Sequence, residues 1–138
     1  FTPHPGEMAR CLQSSVSEIM LDREGAAKRL AREWGGVVVL KGRGSVITDG
    51  EAVVVNPSGG PGLAKGGSGD LLTGLIGGLW VQMVASGRVP GDLAFRAAAL
   101  GCRLHGLAGD LAEKDLTAWA MTPTDVLARF PDAFKAAR

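Results

Sequence analysis

One carboxylate of the chain directly follows a dense cluster of glycines. Residues 66–69 read Gly-Gly-Ser-Gly, Asp70 comes next, and an apolar stretch begins at Leu71. Main-chain N–H groups in such a turn can converge on an anion, and a helix N-terminus adds partial positive charge. Asp70 is therefore either a helix cap or a base that takes a proton from a hydroxyl group beside a bound phosphoryl group.

The residue order excludes two common phosphate-binding motifs. In a P-loop a lysine follows the glycines, whereas Lys65 precedes them here and Asp70 stands where lysine and threonine would be. A dinucleotide-binding fingerprint needs a strand leading directly into the glycines, and the sequence predicts none there.

The segment TPHPGE carries a second candidate pair. His4 and Glu7 lie three residues apart across Pro5-Gly6. Glu7 falls in the first turn of a predicted helix, where the dipole favours a carboxylate. The pair is either a capped helix with an incidental histidine, or a site in which His4 faces a substrate and Glu7 orders water around Mg²⁺.

The segment KGRGS, residues 41–45, follows a predicted buried strand. Ligands of open α/β sheets bind at the carboxyl ends of strands. Lys41 and the two glycines are either ordinary surface and turn residues, or they line the phosphates or ribose of a nucleotide together with Ser45.

The surrounding pattern predicts the elements that position these segments. Helices are expected from Pro5 to Leu12 and from Asp22 to Trp34, the second ended by Gly35, and Ser15 and Ser17 are candidate caps of a helical stretch between them. Residues 37–42 form a β-branched strand covered on both faces, and a hairpin with its turn at Asp49-Gly50 follows.

The second half is predicted to be helical after a long glycine-rich loop over residues 56–69. Helices are expected over about residues 70–86 and 91–112 and from Thr124 onward, where Pro131 breaks the last one. Gly74, Gly77 and Gly78 are expected to pack closely against another backbone. The whole order predicts an α/β sandwich.

Composition narrows the class of protein. The chain has 138 residues, enough for one domain, and 15 basic side chains balance 14 acidic ones. This balance argues against a nucleic-acid arm or a polybasic membrane patch. The longest apolar run, residues 71–85, is shorter than the roughly 20 residues of a membrane crossing. Cys11 and Cys102 are interpreted as free thiols, so we expect a cytoplasmic protein.

Four segments together resemble the NAD(P)H-hydrate dehydratase family of the ribokinase-like superfamily: TPHPGEMARCL, VVVLKGRGSVI, NPSGGPGLAKGGSGDLLTGLIGGL and LHGLAGDL. The resemblance implies a ribokinase-like three-layer αβα sandwich. Residues 1–138 would be a single domain or the C-terminal part of one, since the family's domain is longer. Members of the family repair hydrated NADH or NADPH with ADP or ATP as co-substrate and Mg²⁺ as cofactor.

The resemblance also implies roles for individual residues. Asp70 would deprotonate the C6 hydroxyl of the hydrate, which then attacks the terminal phosphoryl group. His4 would contact the hydrated dinucleotide, and Glu7 would lie near Mg²⁺, through water. The anion hole would be formed by Gly67, Ser68 and Gly69, and the adenine nucleotide would lie along Lys41, Gly42, Arg43, Gly44, Ser45 and Gly69.

Two alternatives stay open beside this reading. A ribokinase-like kinase acting on a sugar, vitamin or thiazole alcohol shares the Gly-Ser-Gly-Asp motif, and an inactive fragment could retain only the nucleotide-binding edge. An exposed strand edge would favour a homo-oligomer or pairing with an N-terminal half of the domain. Ser45 stands where many relatives have threonine, a change that keeps the hydroxyl. His105, within LHGLAGDL, is expected to pack in a helix.

Overall fold

The computed structural model of the chain describes residues 1–87 and 91–137. They divide into two compact units, Phe1–Asn56 and Pro57–Arg138. None of the helices in these described ranges combines the length and apolar character needed to cross a membrane.

The first unit begins with three helices: α1 (Pro5–Cys11), α2 (Val16–Leu21) and α3 (Arg23–Trp34). A side chain caps each N-terminus, from His4, Ser15 and Asp22 respectively. Gly35 ends α3 in the left-handed conformation, with φ of 66°. The predicted N-termini of these helices and the predicted end of α3 at Gly35 are confirmed. Polar N-cap residues and a left-handed glycine at the C-terminus are strong local signals of where a helix begins and ends.

The sheet of this unit has three antiparallel strands in the order β1 (Val38–Leu40), β2 (Ser45–Thr48) and β3 (Val53–Asn56). All three residues of β1 are buried, as predicted. The predicted hairpin is confirmed, and its turn contains Asp49-Gly50 but spans four residues, 49–52. The Thr48 hydroxyl donates to the Ala52 carbonyl at 2.6 Å and stabilises the longer turn.

The first residues of the chain run along the free edge of β1. The N–H of Val39 donates to the Phe1 carbonyl and that of Lys41 to the Pro3 carbonyl, both at 2.8 Å. This pairing places His4 beside the end of β1, where the segment KGRGS begins. The core beneath the sheet joins Met8, Leu30, Val38, Leu40 and Val46 to their neighbours in α1–α3.

The second unit consists of helices and the loop that precedes them. The helices are α4 (Ser68–Ser86), α5 (Leu93–Ala120), α6 (Pro123–Ala128) and α7 (Phe130–Ala136), and a single 3₁₀ turn lies at Pro61–Leu63. The predicted break near Pro131 is confirmed, because α6 ends at Ala128 and Pro131 lies in the first turn of a new helix, α7. Helix α5 also extends well past residue 112, with a non-helical residue at Thr117.

Close packing of glycines occurs at Gly106 and Gly109 of α5 and not at Gly74, Gly77 or Gly78 of α4. A Cβ added at Gly74, Gly77 or Gly78 would meet no atom within 4 Å, so the expected close packing there is wrong for the described chain. A Cβ at Gly106 would lie 2.7 Å from the Ser58 carbonyl carbon, and one at Gly109 would lie 2.8 Å from Leu63. The close backbone contact is therefore between α5 and the loop that precedes α4.

Candidate active site

The glycines before Asp70 form the N-terminus of α4. Gly67 is the N-cap residue, with a left-handed φ of 92° that favours glycine. The N–H of Ser68 makes a long bond of 3.3 Å to the Lys65 carbonyl. Within residues 1–87 and 91–137, the N–H groups of Gly67 and Gly69 donate to no acceptor. The turn therefore presents main-chain donors at the positive end of a 19-residue helix.

Asp70 is the third residue of α4, and its side chain is exposed beside these donors. No described residue donates a capping hydrogen bond to it, and the helix N-terminus has no side-chain cap. The capping alternative therefore lacks the hydrogen bond that would support it. An exposed carboxylate next to unused amide donors has the geometry of a base beside a bound anion.

The loop leading to this turn, residues 57–67, is called the glycine loop below. Two carboxylates of α5 hold its main chain. The Gly59 N–H donates to both carboxylate oxygens of Asp110, at 3.1 and 3.2 Å, and the Gly62 N–H donates to Glu113 at 3.1 Å. Near the C-terminal end of α5, Lys65 donates to the carbonyls of Trp119 and Met121. These long-range bonds fix where the glycine loop ends and α4 begins.

His105 lies on α5 among these contacts, with only 7% of its surface exposed. Burial lowers the pKa of its imidazole, while a hydrogen bond with the main chain of Ser68 acts in the opposite direction. Its Nε2 has no hydrogen-bond partner among the described residues. The expected packing role is confirmed, and the ring also borders the predicted anion hole at Ser68.

The predicted nucleotide segment forms a tight turn after β1. Residues 41–44, called the KGRG turn below, contain two glycines with positive φ, 146° at Gly42 and 63° at Gly44. The Ser45 hydroxyl donates to the Gly42 carbonyl at 3.1 Å. The N–H groups of residues 42–44 donate to no acceptor in the described part of the chain. The Gly42 carbonyl is therefore occupied by a hydrogen bond, while the N–H groups of residues 42–44 remain available to bind an anion.

His4, Glu7 and Lys41 form one cluster in the first unit. His4 Nδ1 accepts from the N–H groups of Gly6 and Glu7, and Glu7 accepts from the His4 N–H at 2.7 Å. The Lys41 ammonium lies 3.7 Å from the Glu7 carboxylate. The His4 N–H is the largest cause of the lowered Glu7 pKa, and Lys41 also lowers it. Glu7 is therefore ionised at neutral pH.

The cluster fits an indirect magnesium contact. No group of three or more metal-ligating side chains is found among the described residues. The charged Glu7 carboxylate is half-exposed, so it can accept from a metal-bound water while keeping its His4 bond. Mg²⁺ commonly keeps several waters and is held by one or two carboxylates together with substrate phosphates.

The predicted site residues therefore fall into two groups. His4, Glu7 and residues 41–45 lie together in the first unit, and residues 67–70 lie together in the second. Sequence reasoning missed the residues that hold the two turns: Arg23, Lys65, Asp110 and Glu113. Asp110 lies in the motif LHGLAGDL, which supported the family resemblance without indicating a contact with the glycine loop, and no local pattern indicated a role for Arg23.

Comparisons with known proteins give one consistent result. The sequence model of the NAD(P)H-hydrate dehydratase family matches residues 1–132. The bifunctional NAD(P)H-hydrate repair enzyme Nnr of Moorella thermoacetica is 48% identical over 132 residues, which are 94% of this chain and 23% of that protein. The ADP-dependent (S)-NAD(P)H-hydrate dehydratase of Neisseria meningitidis is 40% identical, over 82% of this chain and 36% of that one.

Solved structures agree on the fold. The ADP/ATP-dependent NAD(P)H-hydrate dehydratase of Bacillus subtilis, co-crystallised with ATP and Mg²⁺, matches 99% of this chain with a TM-score of 0.82 and 31% identity. A ribokinase-like superfamily protein of Enterococcus faecalis matches with a TM-score of 0.74 and 28% identity. The chain spans 47% of the Bacillus chain and about a quarter of the Moorella protein. It has a ribokinase-like fold and belongs to the NAD(P)H-hydrate dehydratase family.

Proposed function

We propose that this chain takes part in the nucleotide-dependent dehydration of hydrated NADH or NADPH, with Asp70 as the base. One observation carries the proposal: Asp70 is exposed in the first turn of α4, next to Gly67 and Gly69, whose N–H groups are unused within the described residues. A base of this kind must be accessible to its substrate and close to donors that can hold a phosphoryl group.

In the proposed reaction Asp70 takes the proton of the C6 hydroxyl of the hydrate. The oxygen attacks the terminal phosphoryl group of ADP or ATP, and the bond from phosphorus to the remaining nucleotide breaks. The N–H groups of Gly67, Ser68 and Gly69 stabilise the negative charge that develops on the phosphoryl oxygens. Phosphate then leaves from C6 with the help of the electron pair of the ring nitrogen, and loss of a proton from C5 to solvent forms the C5=C6 double bond of the reduced nicotinamide.

Residues of the first unit bind the two substrates in this proposal. The KGRG turn and Ser45 lie along the adenine nucleotide, and His4 contacts the hydrated nicotinamide dinucleotide. Mg²⁺, when bound, would neutralise phosphate charge, and Glu7 would hold it through water. The support is the cluster of His4, Glu7 and Lys41 at the end of β1, beside the available N–H groups of residues 42–44.

The remaining expectations concern partners and location. A second copy of the chain, or further polypeptide like that of the longer relatives, would complete the substrate pocket. The composition supports a protein without nucleic-acid or membrane partners, and the cysteines support a cytoplasmic location.

The test is an absorbance assay on the protein expressed from its complete natural reading frame. Hydrated NADH, Mg²⁺ and either ADP or ATP are supplied, and recovery of the NADH absorbance is followed. We expect recovery with at least one nucleotide, and its rate to fall by about 10²–10⁴-fold in Asp70→Asn. Asp115→Asn is the matched control, because Asp115 is a half-exposed carboxylate of α5 that pairs with Arg129.

Two results would contradict the proposal. Consumption of nucleotide with a simple alcohol, and none with the hydrate, would support the kinase alternative. Absence of any nucleotide-dependent stabilisation or turnover would support the inactive alternative.

A further inference from the structure

Arg23, the first residue of α3, reaches across the first unit to the KGRG turn. Its Nη1 donates to the Arg43 carbonyl at 2.6 Å and its Nη2 to the Leu40 carbonyl at 3.3 Å. A Cβ added at Gly42 would lie 3.0 Å from Nη2, so the glycine main chain lies directly against the guanidinium. One side chain therefore binds both ends of the turn and contacts its middle.

These contacts determine which main-chain groups of the turn remain available. Arg23 binds the carbonyls of Leu40 and Arg43, and the Ser45 hydroxyl binds that of Gly42. The N–H groups of residues 42–44 have no acceptor in the described chain. A planar guanidinium with fixed donor directions is suited to holding two carbonyls at once, whereas an ammonium is a point donor.

The charge of Arg23 is not balanced by a carboxylate. No acidic group of the described chain lies within ion-pair distance of it. The neighbouring Asp22 carboxylate accepts instead from the Gly25 N–H, and the Arg23 Nε is buried without a partner. A cation of this kind is stabilised when an anion binds nearby.

We propose that Arg23 is a positioning residue for the adenine nucleotide. It holds the KGRG turn so that the N–H groups of residues 42–44 can bind phosphate or ribose oxygens, and its charge favours the nucleotide anion. This inference rests on the proposed function, since it assigns the nucleotide to the KGRG turn.

The test compares Arg23→Gln and Arg23→Lys with Arg29→Gln. Arg29 lies on the same helix but forms an exposed ion pair with Glu33, so it controls for loss of a charge on α3. For each variant we would measure the dissociation constants of ADP and ATP, the KM for the hydrate, and amide hydrogen exchange without nucleotide.

In Arg23→Gln we expect nucleotide affinity to fall by about tenfold or more, because two charge-assisted hydrogen bonds are lost. The KM for the hydrate should stay within about twofold, and faster exchange should be confined to residues 41–45. Arg23→Lys should give an intermediate loss, and Arg29→Gln should match the parent.

Several outcomes would overturn the inference. The inference is overturned if the nucleotide affinity of Arg23→Gln stays within twofold of that of the parent. It is also overturned if hydrogen exchange becomes faster over all of α3, because this indicates general unfolding. If Arg23→Gln does not fold, equal nucleotide affinity in Arg23→Lys and the parent would overturn it. If the parent binds neither ADP nor ATP, the proposed function is overturned as well. If the parent binds nucleotide and hydrogen exchange in residues 41–45 is unchanged in Arg23→Gln, only the positioning role is overturned.

Discussion

The KGRG turn and the glycine loop are held by opposite chemical groups. In the first unit a cation, Arg23, binds carbonyl oxygens at both ends of the turn. In the second unit two carboxylates, Asp110 and Glu113, bind the N–H groups of Gly59 and Gly62. The side chains that hold the two segments therefore bind opposite kinds of main-chain group.

This difference separates glycines that can bind an anion from glycines that cannot. Gly59 and Gly62 donate their N–H groups to carboxylates of α5, so these two groups are not available to a ligand, whereas the N–H groups of Gly67 and Gly69 have no acceptor among the described residues. In the KGRG turn the carbonyls of Gly42 and Arg43 are engaged, and the N–H groups of residues 42–44 have no acceptor within the described chain. A glycine-rich sequence alone does not show whether the N–H groups of its glycines are already bonded within the protein or available to an anion.

The largest effect on stability is expected where the glycine loop contacts α5. In Gly106→Ala the new Cβ would lie 2.7 and 2.8 Å from main-chain atoms of Ser58, so the loop must move. We expect the free energy of unfolding to fall by about 1–3 kcal/mol in urea denaturation. The control is Gly78→Ala on α4, where a Cβ meets nothing within 4 Å. It should gain about 0.5–1 kcal/mol from helix propensity, and equal shifts in both variants would contradict the packing account.

The carboxylates of α5 are expected to matter for the glycine loop in particular. Asp110→Ala leaves the Gly59 N–H without its acceptor and should lower the free energy of unfolding by about 1 kcal/mol. Hydrogen exchange should rise in residues 57–65 and stay unchanged in the KGRG turn. In Asp115→Ala, which loses an exposed ion pair, we expect a smaller change and no effect on loop exchange. Equal exchange changes in both variants would show that Asp110 has no special role.

The contribution of His105, which lies in the second unit, to stability should depend on pH. The pKa of His105 is lowered by burial, so the folded state favours the neutral ring and the unfolded chain takes up a proton first as pH falls below 6.5. The contribution of His105 to stability should therefore decline as the pH falls from about 7 towards 5. Urea unfolding of the parent and of His105→Gln across this range should show a flatter profile in the variant. Parallel profiles would contradict the assignment.

The smallest effect is expected at Glu7, in the first unit. Its lowered pKa means that the folded state favours the carboxylate, so its stabilisation is present above the ordinary value of 4.5 and is lost as pH falls through the lower folded pKa. The difference in unfolding free energy between the parent and Glu7→Gln should thus shrink below pH 4.5. Glu24→Gln, on the exposed side of α3, is the control. A difference that stays constant down to low pH would contradict the prediction.

The sequence predicted those features that depend on neighbouring residues. The caps at Ser15 and Asp22, the stop at Gly35 and the helix following Gly67 all follow from local hydrogen bonds and glycine conformations. The candidate residues of each turn were also recognisable from their local pattern. The break near Pro131 was predicted as well, whereas the new helix that begins there was not, because proline both ends and begins helices.

The features that were missed depend on contacts distant in sequence. Arg23 binds a turn about 20 residues away, and the Gly59 to Asp110 bond spans 51 residues. The glycines of α4 and α5 look alike in sequence, yet Gly101 and Gly106 of α5 face a nearby main chain whereas Gly74, Gly77 and Gly78 of α4 do not. Such differences arise from tertiary packing, which no short pattern contains.

The central claim is that Asp70 performs chemistry and that neighbouring N–H groups bind the phosphoryl group. The most direct test measures the nucleotide dissociation constant and hydrate turnover together in Asp70→Asn. The account predicts nucleotide affinity within about threefold of the parent and turnover reduced by about 10²–10⁴-fold, as expected for loss of a general base. Turnover within a few-fold of the parent would contradict it.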